Sequence, residues 1–449
     1  MNRREFLCGG IAMLGVGAAG RAAADEMARH PLAGKSLPKW EKGHFRIATL
    51  YTGGSEATFL TFPDGTTALI DCGDIGATGV PHLPDAKRRA GEWTARWILA
   101  DNPNGKKVDY FVLTHYHSDH AGNGRYSAGR SKRGNYALSG IGQAMEVLDF
   151  GTMIDRSWPK MEDPSYTTDG FSAGIVAHLR EVYAEAQKRG TKIERFRLEK
   201  GSDQIKLLHG GWKGFGFAPL CARGCVLKRD GSILDIGEAI GIPRSRFTEN
   251  ALSTAMVFSF GDFRYYNGGD FSWCVKTPSG KFADIEDLLA PECPAVDVAN
   301  ANHHGHHSMT DALVKALRAR VVVAGVWHQE HMNRPTMRRL AKATWPCLYA
   351  PGLFPEKRRQ RDAAEPWMKD VAPEAFVGAH SVIDVAPGGR TYRLMLVDAR
   401  DERGTVLGAY DFTTAKKPTA ADISGPSTAS SSLTRGFRFT RRPPSERTG

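Results

Sequence analysis

Three histidines and one aspartate fall within the six positions from His115 to His120, directly after a short apolar run. That run, residues 108–113, is rich in β-branched and aromatic side chains, which predicts a buried strand that ends just before His115. Alternate residues of a strand point the same way, so His115 and His117 are placed to hold one metal ion. Asp119 and His120 follow on a turn, where a carboxylate beside an imidazole can face a second ion, as two-metal hydrolysis requires.

The spacing favours a metal site over a set of surface histidines, because 15 histidines in 449 residues would rarely form His-x-His-x-Asp-His by chance. Imidazole binds zinc, manganese and iron alike, so the motif predicts one or two divalent metal ions, zinc being the first expectation. A bound ion brings the pKa of its water near neutrality and polarises carbonyl or phosphoryl oxygens. The sequence therefore predicts a hydrolase that uses metal-activated water.

Two further segments carry acidic residues at strand ends. Residues 53–73 predict a hairpin whose strands flank a Pro-Asp-Gly turn and whose second strand closes on Asp71. Residues 255–270 predict another strand pair with a Gly-Gly exit before Asp270. With the histidine motif between them, this order resembles that of the metallo-β-lactamase-fold hydrolases. The resemblance implies that Asp270 bridges two metals and that Asp71 is a structural residue beside them.

The same resemblance implies an α/β fold, the αββα sandwich of two mixed sheets with helices outside and metals at one sheet edge. We expect one hydrolase domain at residues 44–412, with inserted loops at about 124–247 that shape the pocket. By analogy with the family, Asp119 is the catalytic residue, a metal ligand that also accepts a proton from the attacking water.

A second histidine cluster places four histidines within the five positions 303–307, after a predicted strand. It is similar to the His-His-Gly-Ser element of the hydrolase domain in bacterial DNA-uptake (competence) channel proteins. That likeness implies that His303 or His304 is a metal ligand and leaves the choice open. His306 and His307 are expected beside the ligands or at the entry of the next helix. The metal-ligand candidates are then His115, His117, Asp119, His120, Asp270, His303 and His304.

Residues 320–340 predict a buried strand followed by a loop that faces the site. Arg334 stands where the DNA-uptake hydrolases have a histidine before proline, so the part played by that histidine falls to His328, to His331 or to neither. These two histidines and Asp71 are secondary site candidates.

The family's histidine between the first motif and the bridging aspartate has no evident counterpart. His178, in a predicted helix at residues 175–188, and His209, in a glycine-rich turn, are the weaker alternatives. A second metal with fewer protein ligands would be bound more weakly, or be completed by water and substrate.

The N-terminal residues 2–7, Asn-Arg-Arg-Glu-Phe-Leu, resemble a twin-arginine export signal, and the apolar stretch behind them is too short to span a membrane. We expect a signal peptide at residues 1–24, a linker at 25–43, the twin-arginine export machinery as a partner, a periplasmic location and no transmembrane segment in the mature form. In an oxidising compartment Cys221 and Cys225 can close a small disulfide loop.

The formal net charge of +11 favours anionic substrates, and the basic runs at 132–133 and 357–361 can contact nucleic-acid phosphates. The alternative is a basic surface that contacts only solvent. Residues 413–449 are rich in Ser, Thr, Pro and Arg, which predicts a disordered basic tail. Three functions remain open at this point: a phosphodiesterase or nuclease, a hydrolase of a small neutral lactone, ester or β-lactam, and an inactive binding relative.

Overall fold

The computed structural model describes residues 30–76, 80–161, 172–272, 275–343, 345 and 347–414. The predicted export signal and nearly all of the predicted tail lie outside these residues. Strands and helices are numbered here in chain order. The strands are β1 (Phe45–Thr49), β2 (Thr58–Thr61), β3 (Thr67–Ile70), β4 (Lys107–Val112), β5 (Asp149–Asp155), β6 (Lys192–Arg195), β7 (Phe215–Ala222), β8 (Cys225–Leu227), β9 (Ile233–Asp235), β10 (Ala255–Phe260), β11 (Phe263–Asn267), β12 (Val275–Lys276), β13 (Phe282–Ala283), β14 (Val298–Asn300), β15 (Val321–Ala324), β16 (Leu348–Pro351), β17 (Ala379–Val385), β18 (Thr391–Asp398) and β19 (Val406–Thr413). The helices are α1 (Ala90–Asp101), α2 (Ser118–Ala121), α3 (Ile141–Ala144), α4 (Ser172–Lys188), α5 (Ile236–Ile240), α6 (Glu286–Leu289), α7 (Asp311–Leu317), α8 (Arg334–Leu340) and α9 (Glu356–Asp362).

Among the described residues, β12 and β13 form a small separate sheet, and the other strands form two large mixed sheets. The first has nine strands in the order β19-β18-β17-β1-β2-β3-β4-β5-β6, and the second has eight in the order β16-β15-β14-β11-β10-β7-β8-β9. Apolar side chains such as Phe45 and Ile47 of β1 and Met256 and Phe258 of β10 are fully buried in a core between the sheets. Two outer cores lie beneath the helices. These layers confirm the predicted αββα sandwich.

The parallel strands decide where the polar loops meet. β3 pairs with β4 in parallel, and β11, β14 and β15 are parallel to one another in the second sheet. The carboxyl ends of each parallel set emerge at one edge, so the loops after these strands lie side by side. The amide of Thr254 donates to the carbonyl of Thr114 at 3.1 Å and joins the two edges.

Local sequence signals explain the elements beside that edge. The hairpin β2–β3 turns at Asp64, which accepts a hydrogen bond from the Thr66 amide at 2.9 Å. Helix α8 begins after Asn333, whose side chain accepts from the Thr336 amide at 3.0 Å.

The segment 124–247 differs from the expected inserted loops. It contributes β5 and β6 to the first sheet and β7, β8 and β9 to the second, so most of it is part of the sandwich. The sequence does not predict these strands, because they are short, lie among glycine- and arginine-rich stretches and have little periodic pattern of their own.

The possible disulfide between Cys221 and Cys225 is absent, and both thiols are free. In the antiparallel β7–β8 hairpin Cys225 pairs with Ala222, so the side chains of Cys225 and Cys221 lie on opposite faces of the sheet. No helix among the described residues has both the length and the apolar character needed to cross a membrane.

Candidate metal centre

Donor side chains from both sheets converge at the shared edge and form two overlapping groups. In each group, one nitrogen or carboxylate oxygen per residue lies within 4.8 Å of the others. Asp270 belongs to both groups, so a carboxylate in a bridging position connects them. The first group is His115, His117 and Asp270, and the second is Asp119, His120, Asp270 and His304.

Backbone contacts fix the turn that carries three of these donors. His117 is the N-cap of α2, which contains Asp119 and His120. The loop after β3 packs closely against this turn, and the Cys72 amide donates a hydrogen bond to the carbonyl of His120 at 2.8 Å. A Cβ on Gly73 would lie 1.7 Å from the carbonyl oxygen of Asp119, so only glycine allows this approach.

Asp71 lies immediately beneath the donors, as the resemblance implied. Its backbone is left-handed, with φ 58°, and its side chain is almost fully buried. One oxygen accepts from the Thr114 amide at 2.8 Å, and the other lies 2.8 Å from Nδ1 of His120. This contact sets the orientation of the His120 ring and leaves Nε2 directed at Asp270, 3.2 Å away.

His304 is oriented by a second carboxylate, Glu56. Nδ1 of His304 lies 3.4 Å from Oε2 of Glu56, while Oε1 of Glu56 accepts from the amide side chain of Asn300 at 2.8 Å. Nε2 of His304 lies 3.1 Å from Oδ2 of Asp119. His303 and His304 both have left-handed backbones, φ 50° and 51°, a strained conformation for two consecutive non-glycine residues.

Carboxylates dominate the electrostatics of the second group. Burial lowers the pKa of His120, but Asp270, Asp119 and Asp71 outweigh it and hold that pKa well above its ordinary value. Burial also opposes protonation of His304, whose pKa is nevertheless raised to about 10, chiefly by Asp270 and Asp119. Without a cation, protons on these imidazoles balance the carboxylates, so the centre favours positive charge.

The residues fit divalent metal ions. Nε2 of His115 is fully buried and has no hydrogen-bond partner among the described residues, although it lies 3.6 Å from Asp270 Oδ2. Burial lowers the pKa of His115 well below its ordinary value, so the ring is neutral. Thr114 Oγ1 donates to Asp71 and so accepts from Nδ1 of His115, which leaves the lone pair on Nε2. A buried imidazole lone pair beside a carboxylate is suited to bind a metal ion.

His303 is outside both donor groups. Its Nε2 lies 3.0 Å from Nδ2 of Asn250, and its Nδ1 lies 3.3 Å from Oγ of Ser272. Of the two adjacent histidines that the sequence left open, the structure therefore places His304 among the donors and His303 behind them.

Of the remaining predicted histidines, His328 and His331 line the cavity beside the centre. His331 is buried and stacks on His304 with ring centroids 4.5 Å apart, whereas His328 is exposed. His306 packs against His307, with ring centroids 4.0 Å apart. Neither secondary candidate belongs to the donor groups formed by the described residues.

Three other residues lie away from the centre. His178 contacts the carbonyl oxygen of Ser139 on the outer layer, and His209 is exposed. Arg334 forms an ion pair with Asp362 at 2.5 Å. None of these three side chains joins a donor group among the described residues.

The basic run at 357–361 is only partly a surface for anions. Arg358 is buried and donates to the carbonyl oxygens of Gln329, His331 and Met332, so it supports the loop that carries His331. Asp362 accepts from Arg358 at 2.9 Å and from Arg361 at 3.0 Å. Arg358 is therefore not available to contact phosphates, which the sequence allowed for the whole run.

A cavity of about 550 Å³ opens beside the donors. Its described lining combines polar residues of the centre with an apolar and aromatic wall, and it includes no lysine or arginine. Water and a small substrate can reach Asp119 and His117 through this cavity. The lining residues are Ile75, Val80, His117, Ser118, Asp119, Tyr126, Ile175, Trp327, His328 and His331.

Sequence reasoning missed the residues that hold the donors in place. The sequence does not predict Glu56, or the polar triplet Thr248-Glu249-Asn250 before β10, as part of the site. Buried Glu249 accepts from the Tyr116 amide at 3.0 Å and pairs with Arg156 at 2.6 Å. No local signal marks these residues, because whether a polar residue before a strand is buried against a partner depends on the tertiary fold.

Comparison with known proteins adds a family match. Residues 50–156 match the model of the metallo-beta-lactamase superfamily, and this segment contains Asp71 and the run from His115 to His120. A ribonuclease Z of Bacillus mycoides (strain KBAB4) is 25% identical over 242 residues, covering 51% of this chain and 73% of that protein.

Two solved structures are similar at low identity. The metallo-beta-lactamase fold protein YhfI from Bacillus subtilis has a TM-score of 0.33 and 11% identity, covering 68% of this chain and 95% of its own. A mutant of CmlA beta-hydroxylase has a TM-score of 0.34 and 12% identity, covering 70% of this chain and 53% of its own.

Proposed function

We propose that this chain is a metal-dependent hydrolase of the metallo-β-lactamase superfamily that uses metal-activated water. One observation carries the proposal: two groups of imidazole and carboxylate donors share the buried Asp270, and one donor of each group, His117 and Asp119, lines an open cavity. Two-metal hydrolytic sites need adjacent donor sets of this kind, joined by a bridging group. The match of residues 50–156 to the superfamily model supports the same reaction class.

The donors suit zinc first, with manganese or iron as alternatives, because they combine imidazole nitrogens with carboxylate oxygens. When bound, such ions supply a nucleophilic water near neutral pH and polarise the substrate oxygen. Asp119 lies on the cavity wall, and in the metal-free centre the positive His120 and His304 outweigh burial and hold its pKa below its ordinary range. Its ionised carboxylate accepts the proton of the attacking water, while Asp71 and Glu56 orient His120 and His304.

A phosphodiester is the first candidate substrate. The similarity to a ribonuclease Z supports it, as do the resemblance in motif order to the DNA-uptake hydrolase domain and the net charge of +11. Cleavage of nucleic acid by this chain would depend on salt, because phosphate contacts release counterions.

A small neutral substrate is the second candidate, and the described cavity lining favours it. Ile75, Val80, Ile175 and Trp327 form an apolar flank beside Asp119. Such a flank suits the carbon skeleton of a lactone, an ester or a β-lactam. Turnover of a neutral substrate would depend little on salt.

A metal-loaded activity panel tests both candidates. Full-length protein is stripped, reloaded with zinc, manganese or iron, and assayed on bis(p-nitrophenyl) phosphate, single-stranded DNA and RNA, a fatty-acyl lactone, a p-nitrophenyl ester and a chromogenic cephalosporin. We expect metal-dependent turnover of one class and loss of that turnover in Asp119→Ala. Full activity of the metal-loaded Asp119→Ala variant would refute the role of Asp119. A loaded protein that binds these ligands but hydrolyses none of them would instead be an inactive binding relative.

We also propose export by the twin-arginine pathway to the periplasm, which Arg3 and Arg4 support. Replacement of both by lysine should retain the protein in the cytoplasm of its host, as followed by cell fractionation. Periplasmic recovery of the double variant would contradict this route.

A further inference from the structure

The two donor groups are unequal. The group around His120 offers four ligand atoms, one each from Asp119, His120, Asp270 and His304, whereas the group around His115 offers three. Protein-bound zinc and manganese ions take at least four ligands. A further donor beside His115, His117 and Asp270 would make the two positions alike.

Asn250 lies on a 3-10 turn, Glu249–Leu252, whose C-cap is Ser253. Glu249 accepts from the amide of Tyr116, the residue between His115 and His117, at 3.0 Å. Ser253 Oγ lies 3.3 Å from the amide nitrogen of Asp270. The turn is therefore anchored both to the histidine pair and to the bridging aspartate.

The amide group of Asn250 is only half satisfied. The residue is 6% exposed, and its Nδ2 lies 3.0 Å from Nε2 of His303. Its Oδ1 is buried and has no hydrogen-bond partner among the described residues. Leaving such an oxygen unpaired in the interior is unfavourable, and a cation is one of the few partners that satisfies it.

His115 Nε2 is the other buried atom of this group without a partner among the described residues. A shared metal ion would satisfy both unpaired atoms, the imidazole nitrogen of His115 and the amide oxygen of Asn250. We propose that Asn250 is a metal-binding residue, its amide oxygen supplying the fourth protein ligand beside His115, His117 and Asp270. This inference rests on the proposed two-metal function and adds one ligand to it.

The chemistry of the added ligand gives the position a preference. An amide oxygen is a harder donor than imidazole, so this position should accept manganese more readily than an all-histidine position would. The family's metal-binding histidine between the first motif and Asp270 has no evident counterpart in this sequence. The Asn250 amide, on the turn before β10, would then take its place.

Metal content tests the proposal without reference to activity. Full-length wild type, Asn250→Ala, Asn250→Asp and Asn250→His are dialysed against limiting manganese or zinc and measured by elemental analysis and calorimetric titration. We expect about two ions per wild-type chain and about one in Asn250→Ala, with the affinity for the lost ion reduced about 10- to 100-fold. Asn250→Asp should retain two ions, and Asn250→His should bind zinc more tightly relative to manganese.

His303→Ala separates metal binding from support of His303. If Asn250 only orients His303, then His303→Ala will lose the same ion as Asn250→Ala, and the proposal is overturned. It is also overturned if Asn250→Ala keeps two ions with unchanged affinity. If Asn250→Ala fails to fold, Asn250→Asp and Asn250→His test the proposal instead. A zinc-to-manganese preference that is unchanged in both variants refutes metal binding by residue 250. A wild type that binds no ion would refute the proposed function itself, a distinct result.

Discussion

His304 Nε2 lies 3.1 Å from Oδ2 of Asp119, although 185 residues separate the two along the chain. Asp119 belongs to the loop edge of the first sheet and His304 to that of the second. The contact exists only because parallel strands of both sheets end at the same edge. The second donor group is therefore a product of the tertiary fold.

Replacing His304 should remove one metal ion without unfolding the protein. His304→Ala loses an imidazole from the four-donor group while the sheets and their cores stay intact. We expect kcat/KM to fall on the order of 100-fold or more and metal content to fall by one ion per chain. His209→Ala, which alters an exposed histidine outside the donor groups, is the matched control and should leave both unchanged. Equal metal content in the two variants would exclude His304 as a ligand.

Asp71 should act on the metal through His120. Asp71→Asn keeps the size of the side chain but removes the charge that faces Nδ1 of His120 at 2.8 Å. Carboxylates in this position hold ligand histidines, so we expect metal affinity to fall about 10- to 100-fold. Competition with a fluorescent chelator measures the change, and thermal unfolding checks that the fold persists. An unchanged affinity would show that the charge of Asp71 has no part in metal binding.

The sequence predicted the donors that lie close together in the chain. His115, His117, Asp119 and His120 follow one strand, and the rule that alternate strand residues share a face applies to them directly. Asp71 and Asp270 each close an apolar strand, but their places beside the metals were implied by the resemblance to the metallo-β-lactamase-fold hydrolases. The αββα layering was implied by the same resemblance and is confirmed.

The choice between His303 and His304 could not be made from sequence. Both residues adopt a left-handed backbone, so neither strand nor helix periodicity says which ring points at the donors. Glu56 and Asn250 were missed for a related reason. Each acts on a partner far along the chain, Glu56 on His304 and Asn250 on His303, and such contacts depend on register between sheets.

The Arg156–Glu249 ion pair should stabilise the fold behind the donors. Both side chains are 0% exposed, and Arg156 also lies 4.1 Å from the ring centre of Tyr116. Glu249→Ala leaves a buried charge without its partner, so we expect the free energy of unfolding to fall by about 3 to 5 kcal/mol. Chemical denaturation monitored by circular dichroism measures this change.

An exposed ion pair in the same chain provides the control for that experiment. Arg130 and Glu181 are 52% and 37% exposed, and their nitrogen and oxygen lie 3.2 Å apart. Glu181→Ala should change the free energy of unfolding by about 1 kcal/mol or less, because solvent screens the pair. Similar losses in Glu249→Ala and Glu181→Ala would show that the buried pair adds nothing specific.

His44 should make stability depend on pH. Its hydrogen bond to Asp384, 2.8 Å long, raises the pKa of His44 above its ordinary 6.5, while His44 and Arg46 outweigh burial and lower the pKa of Asp384. A raised histidine pKa contributes stability that is fully present below about pH 6.5 and is lost as pH rises through the folded-state pKa. The contribution also needs ionised Asp384, so it spans mildly acidic pH. His44→Gln should be less stable than wild type near pH 5.5, and the two should converge near pH 9. A gap that stays constant across this range would contradict the linkage.

Trp327 should select substrates without holding metal. It lines the cavity, and its ring contacts that of His331 edge-on with centroids 4.6 Å apart. His331 in turn stacks on His304. Trp327→Ala removes a large part of the apolar wall, so kcat/KM for a substrate with an apolar flank should fall about 10- to 100-fold, mostly through KM. Metal content should stay at the wild-type value, because Trp327 supplies no ligand atom. Trp327→Phe retains an aromatic face and should recover most of the loss. If Trp327→Ala leaves ester and lactone turnover unchanged, the apolar wall has no part in substrate recognition. If the variant also still cleaves phosphodiesters at low salt, the phosphodiester candidate is favoured.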